Sequence, residues 1–394
     1  MKRRSFTKGV AIALSAGSTA IAGCSGGDGG DGSDGSGGSD GSGGSDGSSG
    51  SGGTEMDTTP SGAIPAEMIA AAKEEGSPTV YGAAPTEDGK YWVEDLDERF
   101  SVSGVSYNQM GEPDIWSRIT SEFQAGSVAA DAALGGGLGG ITTVFQNTDA
   151  LRPIPDNVID VIEEVGYPES AYGEYYAPGY ALPIVTYYNT DMMSESELPE
   201  SYLGLTEDRF ANELSMESPV TLGGTDAFFA TLQKELGKST FEEWAQGLLD
   251  NDILLTTSGG AAFNPIANGE KMMGFGLIND LISARQRGED LPVDIAWKTM
   301  NPLAVEVQFP QALTGDAPKP NAGELWMAHG VTPEGQRSVA EWGSFPVKPE
   351  IKQEAFPNLL PDGFEFKAAA FNVEDYWSSA EEWQTYFEEL GFDV

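Results

Sequence analysis

The feature that most constrains the fold is a run, residues 25–53, in which every position is Gly, Ser or Asp. This composition has no apolar surface to bury, so the run cannot build a core. Folding is therefore confined to the residues after it, and the run is predicted to be a flexible tether. Its root-mean-square reach is roughly 30 Å, from about 5–6 Å times the square root of its length.

The residues before the tether are typical of an export signal. Residues 3–8 form a twin-arginine block, and the apolar run 9–22 is too short to span a bilayer as a mature helix. Small residues at 22–23 precede Cys24, the single cysteine of the chain, which resembles the lipid-accepting cysteine of exported lipoproteins. We predict a removable signal at residues 1–23, a lipidated Cys24 with its tether through residue 62, and a location on the outer face of the cytoplasmic membrane.

The charge balance is strongly acidic. The chain has 62 Asp and Glu residues against 21 Lys and Arg residues, a formal net charge of −41. Such self-repulsion is tolerated when salt shortens the Debye length, which indicates a salt-rich (halophilic) environment. No basic stripe is available to neutralise phosphates, so nucleic acid is not expected as a partner.

The body from about residue 63 alternates short apolar runs with helical patterns, which is typical of an α/β fold. Strands are predicted at 79–81, 101–108, 129–134, 218–222, 272–276 and 304–309, and helices at 90–100, 112–125, 226–236, 239–249 and 279–287. A capping box of Ser239 and Glu242 is predicted to start the helix through residue 249. A C-terminal aromatic cluster (Trp377, Trp383, Tyr386, Phe387) is predicted to pack a last helix on the first lobe.

Residues for catalysis are sparse. The only histidine, His329, is predicted to be a structural residue at a helix end. Outside the tether there is no Gly-x-Ser-x-Gly elbow, there is no Walker-type phosphate loop, and a zinc site of Cys and His type is excluded. No cofactor, catalytic residue or bound metal is expected. A carboxylate pair for glycoside hydrolysis stays open as an alternative.

Four segments carry a family resemblance: residues 183–189, residues 268–274, residues 321–325 together with 332–336, and residues 343–348. In this order they resemble segments of ABC-importer solute-binding proteins of the type 2 periplasmic-binding-protein fold, most similar to the ferric-iron, polyamine and thiamine branch. The resemblance implies a two-lobed α/β fold with a ligand cleft, and a monomer that serves permease and ATPase subunits rather than an enzyme. The alternatives are an extracellular hydrolase such as a glycosidase, or a tethered sensor with the same fold.

The implied division places residues 63–182 and 307–394 in lobe one and residues 183–306 in lobe two. Two strands, near residues 184–189 and 304–309, would act as hinges. In open α/β sheets, ligands bind where strands end in small-residue loops and helices begin. The predicted ligand-binding residues are Ala84, Pro85, Thr86, Gly135, Gly136, Gly137, Tyr188, Gly224, Thr225, Asp226, Asn279 and Asp280.

The solute class stays open between an iron complex, a phosphonate or phosphate ester, a polyamine and thiamine. Residues 275–280 contain no tyrosine, so ferric iron held by the tyrosine pair of ferric-binding relatives is not expected. Helix N-termini favour oxygen-rich or anionic groups, whereas Asp226 and Asp280 favour a cation. The balance favours a ligand with negatively charged oxygens, with Asp226 serving mainly to stabilise its own helix start.

Overall fold

A computed structural model describes residues 62–135, 141, 144, 148–221, 224–357, 359–361, 364–368 and 380–393. The predicted signal, the lipidated Cys24, the tether, Gly136, Gly137 and Trp377 lie outside these described residues. Within the described part of the chain, no helix is long and apolar enough to cross a membrane.

Twelve strands and twelve helices are described. The strands are β1 Thr79–Gly82, β2 Ser106–Gln109, β3 Ala132–Leu134, β4 Leu151–Arg152, β5 Ala177–Asn189, β6 Leu214–Glu217, β7 Leu254–Thr256, β8 Met273–Leu277, β9 Val293–Ile295, β10 Ala304–Thr314, β11 Phe345–Pro346 and β12 Phe366–Ala368. The helices are α1 Ala66–Glu75, α2 Thr86–Phe100, α3 Glu112–Gln124, α4 Asp156–Glu164, α5 Thr225–Leu236, α6 Lys238–Asp250, α7 Gly259–Ala267, α8 Asn279–Gln286, α9 Pro320–Val331, α10 Pro333–Glu341, α11 Pro349–Ala355 and α12 Ala380–Leu390.

The strands form one mixed sheet in the order β2-β1-β3-β10-β5-β8-β6-β7. Strands β1, β2 and β3 are parallel to each other, as are β6, β7 and β8. Between these groups lie the long antiparallel strands β5 and β10, which pair from Ile184 with Val305 to Ala177 with Gln311. The predicted mixed α/β class is confirmed, and the two long strands join the two parallel groups.

Aromatic side chains fill the core on both sides of these long strands. In the first group, Trp92 lies with its ring centroid 5.4 Å from those of both Trp326 and Trp342. In the second, Phe229 lies 5.3 Å from Trp244 and 5.5 Å from Phe241. Burying each such ring stabilises the fold by roughly 2–3 kcal/mol before entropy is counted.

His329 has the structural role that the sequence predicted. It lies in α9, 1% exposed, and its Nε2 is 2.9 Å from Oδ2 of the buried Asp95. Arg99 and Ser338 donate to the same carboxylate, and Thr332 caps α10 by accepting the amide of Gly335. The imidazole therefore ties α9 to α2.

Two local predictions in the second group are wrong. The strand predicted at 218–222 is instead Leu214–Glu217, followed by a 3-10 turn over Pro219–Thr221. The ladder ends there because Pro219 has no amide hydrogen to donate. The capping box is also wrong, because α6 begins at Lys238 after Gly237, whose φ of 80° ends the preceding helix, and Ser239 therefore lies inside the helix.

The C-terminal helix α12 packs against α5 and α6, so its predicted position on the first lobe is wrong. The ring centroid of Phe387 is 5.8 Å from that of Phe229, and Nε2 of Gln233 donates to the hydroxyl of Tyr386 over 2.8 Å. The carbonyl of Phe392 accepts from Ser218. The aromatic surface of α5 and α6 accounts for this position, because that surface needs an apolar cover and α12 supplies it. The local sequence of α12 does not show which surface the helix will cover.

Candidate ligand-binding site

A cavity of about 270 Å³ lies where β5 and β10 pass between the two parallel groups. The loop after β1 contributes Ala83–Pro85, and the end of β8 with the start of α8 contributes Leu277 and Asn279. The remaining lining comes from the loop before α3, from the two long strands and from the loop before β11: Met110, Gly111, Tyr180, Leu182, Phe309 and Ser344. The cavity is therefore a cleft with walls from both parts of the sheet.

The floor of the cleft is an aromatic pair. Tyr180 and Phe309 are directly opposite each other on β5 and β10, and their rings stack with centroids 4.6 Å apart and planes 2° apart. Trp342 packs its ring at 89° against Tyr180, 5.6 Å away. Because all three rings are at least nine-tenths buried, the floor is held rigidly by the core beneath it.

The loop after β1 is fixed by its backbone. The amide of Ala83 donates to the carbonyl of Leu134, and the hydroxyl of Tyr107 donates to the carbonyl of Ala84, both over 2.9 Å. A Cβ at Gly82 would lie 2.0 Å from that hydroxyl oxygen, so only glycine permits this approach. The amide of Thr86 already donates to Oε1 of Gln109.

Few polar side chains reach the cleft. Asn279, the first residue of α8, has a buried Oδ1 with no hydrogen-bond partner among the described residues. The hydroxyl-bearing residues Tyr180 and Ser344 also line the cleft. A buried acceptor without a partner is costly to the fold.

The structure brings only part of the predicted set to the cleft. Ala84, Pro85 and Asn279 line it, and the exposed Thr86 adjoins it. Gly135 supports the loop from behind with a φ of +95°, and a Cβ at this position would lie 2.8 Å from the Cβ of Ala83. A Cβ at Gly224 would lie 3.8 Å from the side chain of the lining residue Leu277.

Other predicted residues face elsewhere. The buried Asp226 accepts the amide of Gly224 over 2.9 Å through Oδ1, so it stabilises its own helix start as the sequence indicated. Thr225 is buried beside it in the first turn of α5. Tyr188 pairs with Asp294 at the opposite end of β5, where burial first and nearby carboxylates second raise its pKa.

Asp280 belongs to an acidic pair with the buried Glu217 rather than to the cleft lining. Its Oδ2 and Oε2 of Glu217 both lie near Gly259, 3.5 Å and 3.9 Å from where a Cβ would be. Burial first, with smaller contributions from Asp226 and Asp280 and against the hydrogen bond from Thr221, raises the pKa of Glu217 to about 7. Burial also raises the pKa of Asp280 to about 6, against the opposing effect of Arg287. No group of three or more His, Cys, Asp or Glu side chains arranged to hold a metal ion occurs among the described residues.

Sequence reasoning missed the aromatic floor. Tyr180 lies upstream of the hinge strand predicted near residues 184–189, yet β5 begins at Ala177 and continues through two prolines. Prolines are rare in central strands, so no local sequence pattern predicted the first part of β5. Ser344 lies within residues 343–348, a segment that carries the family resemblance. That resemblance was the sequence signal that could have identified Ser344 as a lining residue.

Comparison with protein-family models identifies the class of protein. Residues 92–363 match the model described as bacterial extracellular solute-binding protein, which is more than half of the chain. The chain belongs to this family of solute-binding proteins of ABC transporters, as the resemblance predicted. Comparison with curated proteins finds no match.

Solved structures show the same fold. Iron-bound HitA from Pseudomonas aeruginosa is similar with a TM-score of 0.67 and 18% identity, over 80% of this chain and 99% of that chain. The Trichodesmium protein IdiA (FutA) in complex with iron and citrate has a TM-score of 0.62 and 17% identity, over 81% and 100%. AfuA from Actinobacillus pleuropneumoniae with bound fructose-6-phosphate has a TM-score of 0.62 and 17% identity, over 80% and 98%. The two-lobed type 2 periplasmic-binding-protein fold is thereby confirmed.

Proposed function

We propose that this chain is the receptor subunit of an ABC importer, held outside the cell by a lipid on Cys24, which captures a small solute and delivers it to the permease. The observation that carries the proposal is the cleft, whose lining comes from both parallel strand groups and from the two long strands between them. A solute bound there would contact both walls at once. It would therefore favour a closed form that a permease can distinguish from the empty one.

The long strands would serve as the hinge of this movement. In this proposal, lobe one consists of residues 63–182 together with the residues from 307 up to the start of α12, and lobe two consists of residues 183–306 together with α12. The C-terminal helix α12 is assigned to lobe two because of its contacts with Phe229 and Gln233. Closure would bring the loop after β1 towards the start of α8.

The solute class is proposed from the same set that the sequence left open: an iron complex, a phosphonate or phosphate ester, a polyamine or thiamine. The related structures with iron, with iron and citrate, and with fructose-6-phosphate support small polar solutes of this kind. The lining contains one tyrosine among the described residues, Tyr180, which supports the expectation that iron is not held by an adjacent tyrosine pair.

A thermal-shift screen at molar salt tests the proposal. At about a hundred times its dissociation constant, the right solute should add roughly 2.7 kcal/mol to the free energy of unfolding. Met110→Trp should fill the cleft and abolish this shift, since Met110 is a partly exposed lining residue. Met192→Trp is the matched control, because Met192 is 36% exposed outside the cleft lining. A shift that survives in Met110→Trp would contradict binding in the cleft.

A further inference from the structure

We infer that Tyr107 is a positioning residue of the proposed solute site, whose hydroxyl holds the loop after β1 where Ala83–Pro85 form one wall of the cleft. The inference rests on the proposed function, because it names a residue on which the shape of the same cleft depends. Tyr107 lies on β2, the strand at one edge of the sheet, and it is not among the described residues that line the cavity. Its effect on a solute would therefore be exerted through the loop.

The ring of Tyr107 fills a slot that two glycines leave open. A Cβ at Gly82, the last residue of β1, would overlap the hydroxyl oxygen, and a Cβ at Gly89, in the first turn of α2, would lie 2.6 Å from two ring carbons. The ring also packs against the fully buried Trp326 of α9, with the ring centroids 6.3 Å apart. The ring is therefore confined by β1, α2 and the core, so its hydroxyl has a defined position.

The hydroxyl holds the loop at its middle. It donates to the carbonyl of Ala84 over 2.9 Å, and Ala84 is 4% exposed whereas the next residue, Pro85, is exposed. Pro85 has no amide hydrogen, and the following amide, that of Thr86, donates to Oε1 of Gln109 over 3.1 Å. Two side chains of β2 therefore hold the loop on either side of Pro85.

Removing the hydroxyl should move the loop without unfolding the protein. In Tyr107→Phe the ring still fills its slot, but the carbonyl of the buried Ala84 loses its donor, and the loop would shift until this carbonyl meets water. When only a fraction of the molecules has the wall in place, the apparent dissociation constant rises by the inverse of that fraction. A loop in place about one-fifth of the time would therefore bind a solute about five-fold more weakly.

Hydrogen exchange of the unliganded mature chain at molar salt tests the positioning directly. In Tyr107→Phe, we expect the amides of Ala83, Thr86 and Gly89 to exchange at least about ten-fold faster than in wild type, while the other strands keep their rates. Gly89→Ala should act in the same direction, because its methyl group would displace the ring. Alanine otherwise favours a helix more than glycine does, so faster exchange there would come from the displaced ring.

Calorimetry at molar salt with ferric citrate, fructose 6-phosphate, spermidine and thiamine tests the consequence for binding. Tyr107→Phe should bind each probe that the wild type binds about five-fold more weakly. Its unliganded melting temperature should stay within about 3 °C of the wild-type value. Tyr172→Phe is the matched control, because its hydroxyl donates to Oε1 of Glu163 over 3.1 Å outside the described cavity lining. This control should leave both the exchange of the loop and the binding unchanged.

Three results would overturn the inference. The first is unchanged exchange of the loop in Tyr107→Phe, and the second is unchanged binding of a probe that the wild type binds. The third is a melting temperature lowered by more than about 3 °C together with faster exchange in all strands, which would make Tyr107 a residue of the fold alone. If the wild type binds none of the four probes, that result counts against the proposed function, and the exchange measurement alone decides the inference.

Discussion

The buried carboxyl of Glu217 makes the stability of this protein fall as pH rises, and one substitution should remove this dependence. Burial and the neighbouring Asp226 and Asp280 raise the pKa of Glu217 from 4.5 to about 7. The folded state therefore favours the protonated acid. The resulting stability is fully present below the unfolded pKa and is lost as pH rises through about 7.

The size of the effect follows from the shift. From 4.5 to about 7 is about 2.5 pKa units, and each unit corresponds to about 1.4 kcal/mol, so ionisation at pH 8 costs about 3 kcal/mol. Glu217→Gln removes the charge and keeps the Oε1 that accepts from the hydroxyl of Thr221. We expect the variant to be more stable than wild type by about 3 kcal/mol at pH 8, with a melting point roughly 4 °C higher.

Thermal melts of the two proteins at pH 5 and pH 8, both at constant molar salt, measure this difference. At pH 5 the folded wild type already carries the neutral acid, so the two melting points should nearly coincide. Glu270→Gln is the matched control, because Glu270 is exposed and its substitution removes the same charge from the surface. A Glu217→Gln variant that gains nothing between pH 5 and pH 8 would refute the reasoning.

Three further predictions concern other parts of the chain. Cys24→Ser should release the protein from membranes or leave it as a precursor, which fractionation and blotting would show, and correct processing with retention would contradict lipidation. The melting temperature should fall as salt is lowered from molar to millimolar, because a net charge of −41 is then poorly screened, and salt-independent melting would contradict this. Asp95→Ala should destabilise the fold by about 3–5 kcal/mol in chemical denaturation, because it leaves Arg99 and His329 buried without their carboxylate, and a loss below 1 kcal/mol would contradict it.

The confirmed sequence predictions share a physical basis. Alternating apolar runs predicted the α/β class, and the family was predicted from the order of four segments: 183–189, 268–274, 321–325 together with 332–336, and 343–348. His329 was predicted as a structural residue at a helix end, and the helix end is a local feature, although its partner Asp95 lies on the distant helix α2. Local pattern is enough to predict where such a helix ends, but not which side chain the imidazole meets.

The wrong and missing predictions concern contacts between segments that are distant in the sequence. Helix α12 was placed on the wrong lobe because its aromatic stripe specifies an apolar partner without specifying which one, and α5 and α6 supply it. Asp280 was expected in the cleft, yet its carboxyl lies beside Glu217, a residue of a different strand. A pattern in one segment carries no information on the surface that another segment presents.

The sequence by itself therefore determined the α/β class, the family and a run that cannot fold, because periodicity, motif order and composition are local properties. Tertiary structure alone decided the floor and walls of the cleft. Tyr180 meets Phe309 only because β5 pairs with β10, and Asn279 and Ala84 line one cavity only because both parts of the sheet meet at these strands. Which side chains share a cavity depends on strand register across distant segments, and a one-residue slip would turn each of them to the other face.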